Sequence, residues 1–284
     1  MRVRLRRPFV RVGSAIASAE RRFTAARRPL PDFLILGAQR AGTSSLYRNL
    51  SEHPQVIPAQ RKEVHFFDYQ YDRGPDWYRA RFPLDAQRNA VARGVGGPAV
   101  TGEASPSYLF HPLVPPRVAG LLPDAKLVAI LRDPVDRAIS AYHHLVARGH
   151  ERRSMEEAFA ADESRVVPPP ADPAWDRRAS ELLRFAYLGR GRYAEQLERW
   201  HDSFADVLVI ETSALTAGPG DGFDRVVAHL GMEPWRPESF TELHRGSYSA
   251  TEEPVRHRLA EYFAPHNERL FALLGTEFDW TQRS

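Results

Sequence analysis

Residues 33–50 read FLILGAQRAGTSSLYRNL, and this stretch decides the fold class of the 284-residue chain. The apolar residues 33–36 predict a buried strand, and residues 43–50 predict the helix that follows it. Gly37 and Gly42 stand between them in a phosphate-binding loop (residues 37–45) with the spacing G-x-x-x-x-G-[KST]-[ST]. Backbone N–H groups at such a helix N-terminus point at an anion. The stretch therefore predicts an anion site at a strand end, with a plain strand-to-helix turn as the alternative.

The rest of the chain alternates short apolar runs with longer segments of helical periodicity. Further strands are predicted at residues 127–131 and 207–210, with a weaker one at 99–101. Further helices are predicted at residues 134–147, 192–200, 222–230 and 254–274, and the glycine-containing residues 85–102 are predicted as a loop. Continuous apolar strands that alternate with helices are typical of a covered parallel sheet. We therefore expect a single P-loop-like α/β domain with a central parallel sheet flanked by helices on both faces.

The charge of the chain is uneven. Residues 1–31 contain nine arginines and one glutamate, a balance of +8, which leaves the rest of the chain at −5 within a total of +3. We therefore expect a basic, flexible N-terminal arm at residues 1–31 and the catalytic domain at residues 32–284. Because the excess positive charge lies outside the domain, nucleic acid is not expected as a partner. A weak contact of the arm with an anionic membrane surface is an alternative to a plain flexible arm.

Composition excludes several other classes. The chain has no cysteine, so a disulfide framework, a thiolate metal site and a cysteine nucleophile are excluded. It has no apolar run long enough to span a bilayer and no well-formed signal peptide, so no transmembrane segment is expected and a cytoplasmic location is predicted. The sequence leaves the oligomeric state open.

The phosphate-binding loop lacks the lysine of nucleotide triphosphatases. Thr43 stands where that lysine would reach the β- and γ-phosphates, and the nearest cation is Arg40, inside the loop. Asp133 is the one candidate magnesium ligand at a strand end, but Pro134 after it is typical of a helix N-cap. The loop therefore suits a phosphate-like group better than ATP chemistry. A P-loop kinase or NTPase stays open as an alternative, as does a non-catalytic nucleotide-binding module.

Two segments resemble motifs of the sulfotransferases that use 3′-phosphoadenosine 5′-phosphosulfate (PAPS), particularly the heparan sulfate and related carbohydrate type. Residues 39–46, QRAGTSSL, are similar to the loop that holds the 5′-phosphosulfate, with Arg40 where lysine is usual. Residues 131–142, LRDPVDRAISAY, are similar to the motif that binds the 3′-phosphate. The resemblance extends over residues 32–280. It implies PAPS as the cosubstrate, sulfuryl transfer as the reaction, and no requirement for a metal.

The resemblance places the PAPS-binding residues in three segments. They are Arg40, Ala41, Gly42, Thr43, Ser44 and Ser45 in the loop, Arg132 and Ser140 in the second motif, and Arg245, Gly246 and Ser247 in a late segment where Ser247 replaces a basic residue. The position of Arg132 agrees, because it follows a strand end, where α/β sheets bind ligands, and a guanidinium can bind a phosphate through two hydrogen bonds. A surface ion pair of Arg132 and a packing role for Ser140 are the alternatives.

Residues 61–68, RKEVHFFD, resemble the family segment that carries the catalytic base. The resemblance implies that Glu63 deprotonates the acceptor, with His65 and Asp68 in support and Arg40 stabilising the leaving phosphate. Alternation in an extended segment would place Glu63 and His65 on one side and Asp68 on the other. Lys62 could either lower the pKa of Glu63 or orient the cosubstrate. A packed aromatic loop is the alternative, and because no metal-ligand spacing is matched, no metal site is predicted.

The acceptor is the least constrained part of the reaction. The resemblance implies a saccharide or another small molecule, with transfer to a hydroxyl more than to an amino group. Ala104 stands where many heparan-type enzymes have lysine, so contacts made there by those enzymes are not expected. Because the domain is net acidic and the chain has only two lysines, Lys62 and Lys126, overall charge favours a neutral saccharide over a long polyanion.

Overall fold

The computed structural model describes residues 20–165, 175, 183–215, 221–240 and 253–280. Within these residues the strands are β1 (Phe33–Gly37), β2 (Gly102–Ala104), β3 (Lys126–Leu131) and β4 (Val207–Glu211). They pair in the order β2-β1-β3-β4, and every pair is parallel. All five residues of β1 are buried, as are the last five of β3. Burial on both faces is the property that covered parallel strands share, so the predicted α/β domain with a central parallel sheet is confirmed.

The order of the strands determines where a ligand can bind. From β1 the chain goes to β2, which pairs on one side of β1. It then crosses to β3, which pairs on the other side of β1. Such a reversal leaves a crevice at the carboxyl ends of the strands, where α/β sheets bind ligands. The residues at these ends are Gly37, Ala104, Leu131 and Glu211. The phosphate-binding loop follows the first of them and the second motif follows the third.

The α-helices of the described residues surround the sheet. They are α1 (Thr43–Leu50), α2 (Phe66–Tyr69), α3 (Gly74–Arg79), α4 (Asp85–Val95), α5 (Val114–Leu121), α6 (Pro134–Ala147), α7 (Met155–Glu163), α8 (Tyr193–His201), α9 (Gly222–His229) and α10 (Glu253–Leu274). The predicted bounds of α1 and α6 are confirmed, and those of α8, α9 and α10 are confirmed to within one residue. The predicted phosphate-binding loop therefore enters a helix at the expected residue.

Two predictions between residues 85 and 104 are wrong. The segment predicted as a loop begins with α4, none of whose residues is buried, so no apolar periodicity marks the helix. Gln87 bonds back to the N–H of Leu84 at its start, and Gly96 ends it in a left-handed conformation. The weak strand predicted at 99–101 lies at 102–104 instead. Gly102, its first residue, packs closely on Phe33, because a Cβ there would lie 2.5 Å from the ring.

Residues 20–31 contact the rest of the molecule. Arg21 donates hydrogen bonds to the carbonyl oxygens of Ala80 at 2.6 Å and Phe82 at 2.7 Å, and Arg28 donates to Phe82 at 2.7 Å. The carbonyls just beyond α3 thereby gain cationic partners. The division at residue 31 stays a prediction, and residues 1–19 lie outside the described ranges. No helix in those ranges is long and apolar enough to cross a membrane.

Candidate active site

The phosphate-binding loop enters α1 without a side-chain cap. Gly42 is the N-cap residue and has φ 95°, a conformation that side chains with a Cβ adopt only with strain. Thr43 and Ser45 in the first turn are buried. A helix start whose amides receive no side-chain cap is suited to an anionic ligand, which the positive end of the helix dipole also favours.

Arg40 joins the two segments that the sequence predicts to bind one cosubstrate. Its φ is 71°, and its Nε donates a hydrogen bond of 3.0 Å to Oγ of Ser140 on α6. Nη1 of Arg132 donates to the carbonyl oxygen of Arg40 at 3.4 Å. The phosphate-binding loop and the second motif, 100 residues apart in the chain, therefore meet at one place.

A buried carboxylate orients Arg132. Asp136 accepts a hydrogen bond from Arg132 at 3.1 Å through one oxygen and from Arg256 on α10 at 2.8 Å through the other. The carbonyl oxygen of Arg132 also accepts a hydrogen bond from the hydroxyl of Tyr193 at 2.8 Å. Two guanidinium groups therefore share one carboxylate beside Arg40. The group carries an excess of positive charge, which fits a phosphate.

Asp133 caps α6, as the sequence predicts. Its Oδ1 accepts a hydrogen bond of 2.8 Å from the N–H of Val135, and Pro134 occupies the first turn. Burial raises the pKa of Asp133 to about 6. An N-cap whose oxygen is occupied by a backbone amide is a poor magnesium ligand, which weakens the kinase alternative.

Thr212 supports the phosphate-binding loop and was not predicted. It directly follows β4, and its hydroxyl lies within hydrogen-bond distance of two carbonyl oxygens, that of Ala41 at 2.9 Å and that of Leu131 at 2.8 Å. The hydroxyl thus connects the loop to the end of β3. Its position immediately after a predicted buried strand was a signal that could have identified it.

Glu63, His65 and Asp68 form a hydrogen-bonded chain in the base loop (residues 60–69). Oε2 of Glu63 lies 3.3 Å from Nε2 of His65, and Nδ1 of His65 lies 2.8 Å from Oδ2 of Asp68. Lys62 donates a hydrogen bond of 2.8 Å to the other oxygen of Glu63. Ser107 donates to Asp68 from the far end of the chain. The predicted pairing of Glu63 with His65 is therefore present.

The placement of Asp68 on the side opposite His65 is wrong, and Asp68 contacts His65 as the resemblance implies. The alternation argument assumed an extended segment, but α2 begins at Phe66, and one helical turn brings Asp68 back to His65. Asp68 is buried, and its carboxylate therefore orients the imidazole from the protein interior. His65 is held between two carboxylates, that of Asp68 inside and that of Glu63 toward the surface.

The charges in this chain stabilise one another. The hydrogen bond from His65 lowers the pKa of Glu63 to about 2, with Lys62 acting in the same direction and burial against it. Burial lowers the pKa of His65, but the hydrogen bonds with Asp68 and Glu63 outweigh it and raise the pKa to about 9. Near pH 7 the site therefore contains an ionised Glu63 and a protonated His65, so a carboxylate is available as the base.

The base loop lies at the end of β2, next to β1. The N–H of Glu63 donates a hydrogen bond of 3.1 Å to the carbonyl oxygen of Ala104, the last residue of β2. The N–H of Leu109 donates to the carbonyl oxygen of Leu36 in β1 at 2.8 Å. Neighbouring strands lie about 4.8 Å apart, so the base loop and the phosphate-binding loop share one edge of the sheet.

The residues at this edge fit a nucleotide with two anionic groups. The uncapped start of α1 with Arg40 provides one anion site, and Arg132, held by Asp136, provides a second. Arg245, Gly246 and Ser247 lie outside the described residues. Within the described part of the chain, no three His, Asp or Glu side chains form a group that could hold a metal ion.

Comparison with known proteins agrees with the geometry. The family described as "Sulfotransferase domain" matches residues 30–211, more than half of the chain. Mouse heparan sulfate glucosamine 3-O-sulfotransferase 6 is 29% identical over 282 residues, which cover 89% of this chain and 75% of that protein. Human bifunctional heparan sulfate N-deacetylase/N-sulfotransferase 3 is 32% identical over 278 residues, 86% of this chain and 30% of that protein.

A solved structure extends the likeness to the fold. The sulfotransferase from Alicyclobacillus acidocaldarius superposes with a TM-score of 0.65 at 32% identity, and the match covers 89% of this chain and 99% of that one. This chain therefore combines the parallel sheet, the loop after β1 and the motif after β3 with a match to the family domain. This chain belongs to the sulfotransferase family, is similar to its heparan sulfate members, and is a sulfotransferase.

Proposed function

We propose that this enzyme transfers the sulfuryl group of PAPS to a hydroxyl group of an acidic saccharide, with Glu63 as the general base. The contact of Arg40 with Ser140 carries the proposal, because it joins the 5′ and 3′ phosphate motifs at the edge of the sheet where Glu63 lies. Transfer to an amino group is the second candidate, since one of the relatives is named an N-sulfotransferase.

The chain's own residues would bind and orient the cosubstrate. The start of α1 with Thr43, Ser44 and Ser45 would hold the 5′-phosphosulfate, and Arg132 with Ser140 would hold the 3′-phosphate. When bound, PAPS supplies the sulfuryl group, which leaves a phosphate oxygen for the acceptor oxygen. Arg40 would stabilise the charge that develops on the leaving phosphate. Catalysis of this kind depends mainly on position and electrostatics.

Glu63 would accept the proton of the acceptor hydroxyl. Its carboxylate is ionised because His65 and Lys62 stabilise the charge, but the same two bonds make it a weak base. Loss of either bond would raise the pKa of Glu63 and strengthen the base. His65 and Asp68 would hold the carboxylate in place.

The distribution of charge near Glu63 supports an acidic acceptor. A basic face is formed by five arginines that lie near one another, Arg21, Arg22, Arg61, Arg73 and Arg81. The guanidinium carbons of Arg73 and Arg81 lie 5.2 Å and 4.5 Å from the ring centre of Trp77. Burial, and then repulsion from the other four arginines, lowers the pKa of Arg81. The net charge of the domain does not reveal this local group of arginines. We therefore propose an acidic acceptor in place of the neutral saccharide that overall charge favours.

The basic face continues to the base. The N–H of Gln60 donates a hydrogen bond of 2.8 Å to the carbonyl oxygen of Arg81, and Arg61 and Lys62 follow in the chain before Glu63. An anionic sugar chain bound on the arginines could therefore reach the carboxylate. Curated relatives similar to this chain are named for heparan sulfate. We propose that sulfated or carboxylated oligosaccharides are better substrates than their neutral analogues.

The first experiment is a calorimetric titration with 3′-phosphoadenosine 5′-phosphate (PAP) and with ATP, both in EDTA. We expect micromolar binding of PAP and none of ATP. No binding of PAP, together with ATP binding restored by magnesium, would refute the sulfotransferase mechanism and the proposed independence from metal. The cytoplasmic location stays a prediction that cell fractionation tests.

The second experiment compares an acidic oligosaccharide with its chemically desulfated analogue as acceptors, using PAPS and mass spectrometry. The double variant Arg73→Ala/Arg81→Ala should lower kcat/KM for the acidic acceptor and leave that for the neutral analogue unchanged. Arg225→Ala, on the exposed side of α9, is the matched control. Equal losses with both acceptors would remove the basic face from acceptor binding.

A further inference from the structure

Glu103 is a buried carboxylate that lies close to the base without being part of the proton path. It stands in the middle of β2, and its solvent exposure is 0%. Its Oε1 accepts hydrogen bonds from the hydroxyls of Tyr78 at 2.8 Å and Tyr108 at 2.9 Å. Its Oε2 accepts from the hydroxyl of Ser105 at 2.7 Å and from the N–H of Val64 at 3.2 Å. Four donors therefore surround one buried carboxylate, which satisfies the requirement that a buried charge be hydrogen-bonded.

Three of these donors connect Glu103 to consecutive amides of the base loop. The N–H of Val64 bonds to the carboxylate directly. The N–H of His65 donates to the Ser105 hydroxyl at 3.1 Å, and the N–H of Phe66 donates to the Tyr108 hydroxyl at 2.8 Å. Both hydroxyls pass the interaction on to Glu103. One amide of the base loop therefore reaches the carboxylate directly, and the next two reach it through a hydroxyl.

The backbone of the base loop has a left-handed conformation that non-glycine residues adopt only with support from their surroundings. Glu63 has φ 62° and His65 has φ 55°, so two non-glycine residues with only one residue between them are left-handed. Such a conformation is strained for any residue that carries a Cβ. The two strained residues are also the two whose side chains meet at 3.3 Å in the proposed base.

We propose that Glu103 is a positioning residue for catalysis: its carboxylate holds the amides of residues 64–66 and thereby keeps Glu63 and His65 in the conformation that joins them. This inference rests on the proposed role of Glu63. Glu103 acts through the backbone and touches neither substrate. Removing one of its acceptor oxygens should release the base loop, so that His65 loses contact with Glu63 and with Asp68.

The test is Glu103→Gln, which preserves shape but offers an NH2 group in place of one acceptor oxygen. We expect kcat to fall about tenfold to a hundredfold, a part of the effect of a general base, with KM for PAPS unchanged. Proton NMR of the His65 imidazole should show its pKa moving from about 9 toward the ordinary 6.5. His65→Gln assigns the resonance. An unchanged imidazole pKa and unchanged kcat in a folded variant would overturn the proposal.

A second pair of variants answers the question if Glu103→Gln does not fold. Tyr78→Phe and Tyr108→Phe each remove one hydroxyl donor to Oε1 of Glu103, but only the Tyr108 hydroxyl also accepts from the base loop. We expect Tyr108→Phe to lower kcat and the imidazole pKa, and Tyr78→Phe to leave both near the wild-type values. Equal effects in the two variants would refute the proposal.

The NMR readout separates this proposal from the proposed function. If no acceptor is ever sulfated but the imidazole pKa falls in Glu103→Gln, Glu103 still holds Glu63 and His65 in place, and the proposed function fails. If sulfuryl transfer is observed but the imidazole pKa and kcat do not respond, the proposed function stands and Glu103 only fills the core.

Discussion

The phosphate-binding loop and the base loop lie at the ends of neighbouring strands, yet different parts of the chain determine their conformations. In the phosphate-binding loop, Gly37 and Gly42 occupy two of the three positions with positive φ. In the base loop, both such positions, Glu63 and His65, carry side chains. Glycine adopts these conformations without strain, whereas Glu63 and His65 depend on bonds from residues 103–108.

This difference indicates which loop is suited to anion binding and which to proton transfer. Anion binding uses backbone amides and a helix start, which a short local sequence can form by itself. Proton transfer requires two side chains at a set separation, and side chains are held by the structure around them. We therefore expect changes in the base loop to affect turnover and changes in the phosphate-binding loop to affect nucleotide affinity or stability.

Glu63→Gln should distinguish the functions of the two loops most clearly. It removes the proton acceptor, so kcat should fall by about 10²- to 10⁴-fold. Calorimetry should give an unchanged Kd for PAP, because the phosphate contacts lie on the other loop. Glu52→Gln, at the exposed end of α1, is the matched control and should leave both values unchanged. A comparable loss of PAP affinity in Glu63→Gln would instead give Glu63 a structural role.

Arg132→Ala should act on affinity and should discriminate between two nucleotides. Removing a charged hydrogen-bond donor costs about 1.5–3 kcal/mol, or about tenfold to a hundredfold in Kd for PAP. The analogue without the 3′-phosphate should bind as before. Asp136 keeps its bond to Arg256 at 2.8 Å, so the fold should be retained.

The control for this experiment is Arg93→Ala, an exposed arginine on α4. It should bind both nucleotides like the wild type. If Arg132→Ala weakens the two nucleotides equally, Arg132 is not part of the 3′-phosphate site.

Gly42→Ala tests whether backbone conformation alone determines the phosphate-binding loop. A Cβ there would meet no atom closer than 3.7 Å, so the effect comes from φ 95° and not from a clash. We expect a loss of about 1–2 kcal/mol in the free energy of unfolding, measured with urea. Gly94→Ala, in α4 with ordinary φ and open space, should stabilise the protein by about 0.4–1 kcal/mol. The same sign for both variants would contradict this explanation.

The smallest expected effect is the pH dependence of stability that comes from the base loop. Because the pKa of His65 is raised to about 9, its contribution to stability is complete below 6.5 and is lost as pH rises through about 9. The pKa of Glu63 is lowered to about 2, so its contribution is complete above 4.5 and is lost only as pH falls through about 2. Of these two contributions to stability, only that of His65 changes between pH 6.5 and 9.

Thermal unfolding across this range measures the effect. The Tm of the wild type should fall more steeply between pH 6.5 and 9 than the Tm of His65→Gln. The difference should be small, because the partner Glu63 is 45% exposed and water screens the interaction. Parallel curves would show that the His65 charge does not contribute to folding.

Elements with strong local signals were predictable. Gly42 before α1, and Asp133 with Pro134 before α6, place those helix starts at the correct residues. The helix α4 was not predictable from periodicity, because it lies on the surface and buries no residue. The short strand β2 was misplaced by three residues, since its residues pair with β1 and pack on Phe33, which are contacts that its own sequence does not show.

The sequence alone determined that the chain has an anion site, because a strand, a glycine loop and a helix form it through backbone groups that are adjacent in the chain. The resemblance of its motifs to those of sulfotransferases implied the class of the enzyme. It also predicted which residues carry the chemistry, because the two phosphate motifs and the base segment are each contiguous. Only the tertiary structure decided that Arg40 meets Ser140, that Asp68 supports His65, and that four other arginines gather near Arg81. Those contacts join residues distant in sequence or separated by an unforeseen turn, and such separations are set by packing and not by local preference.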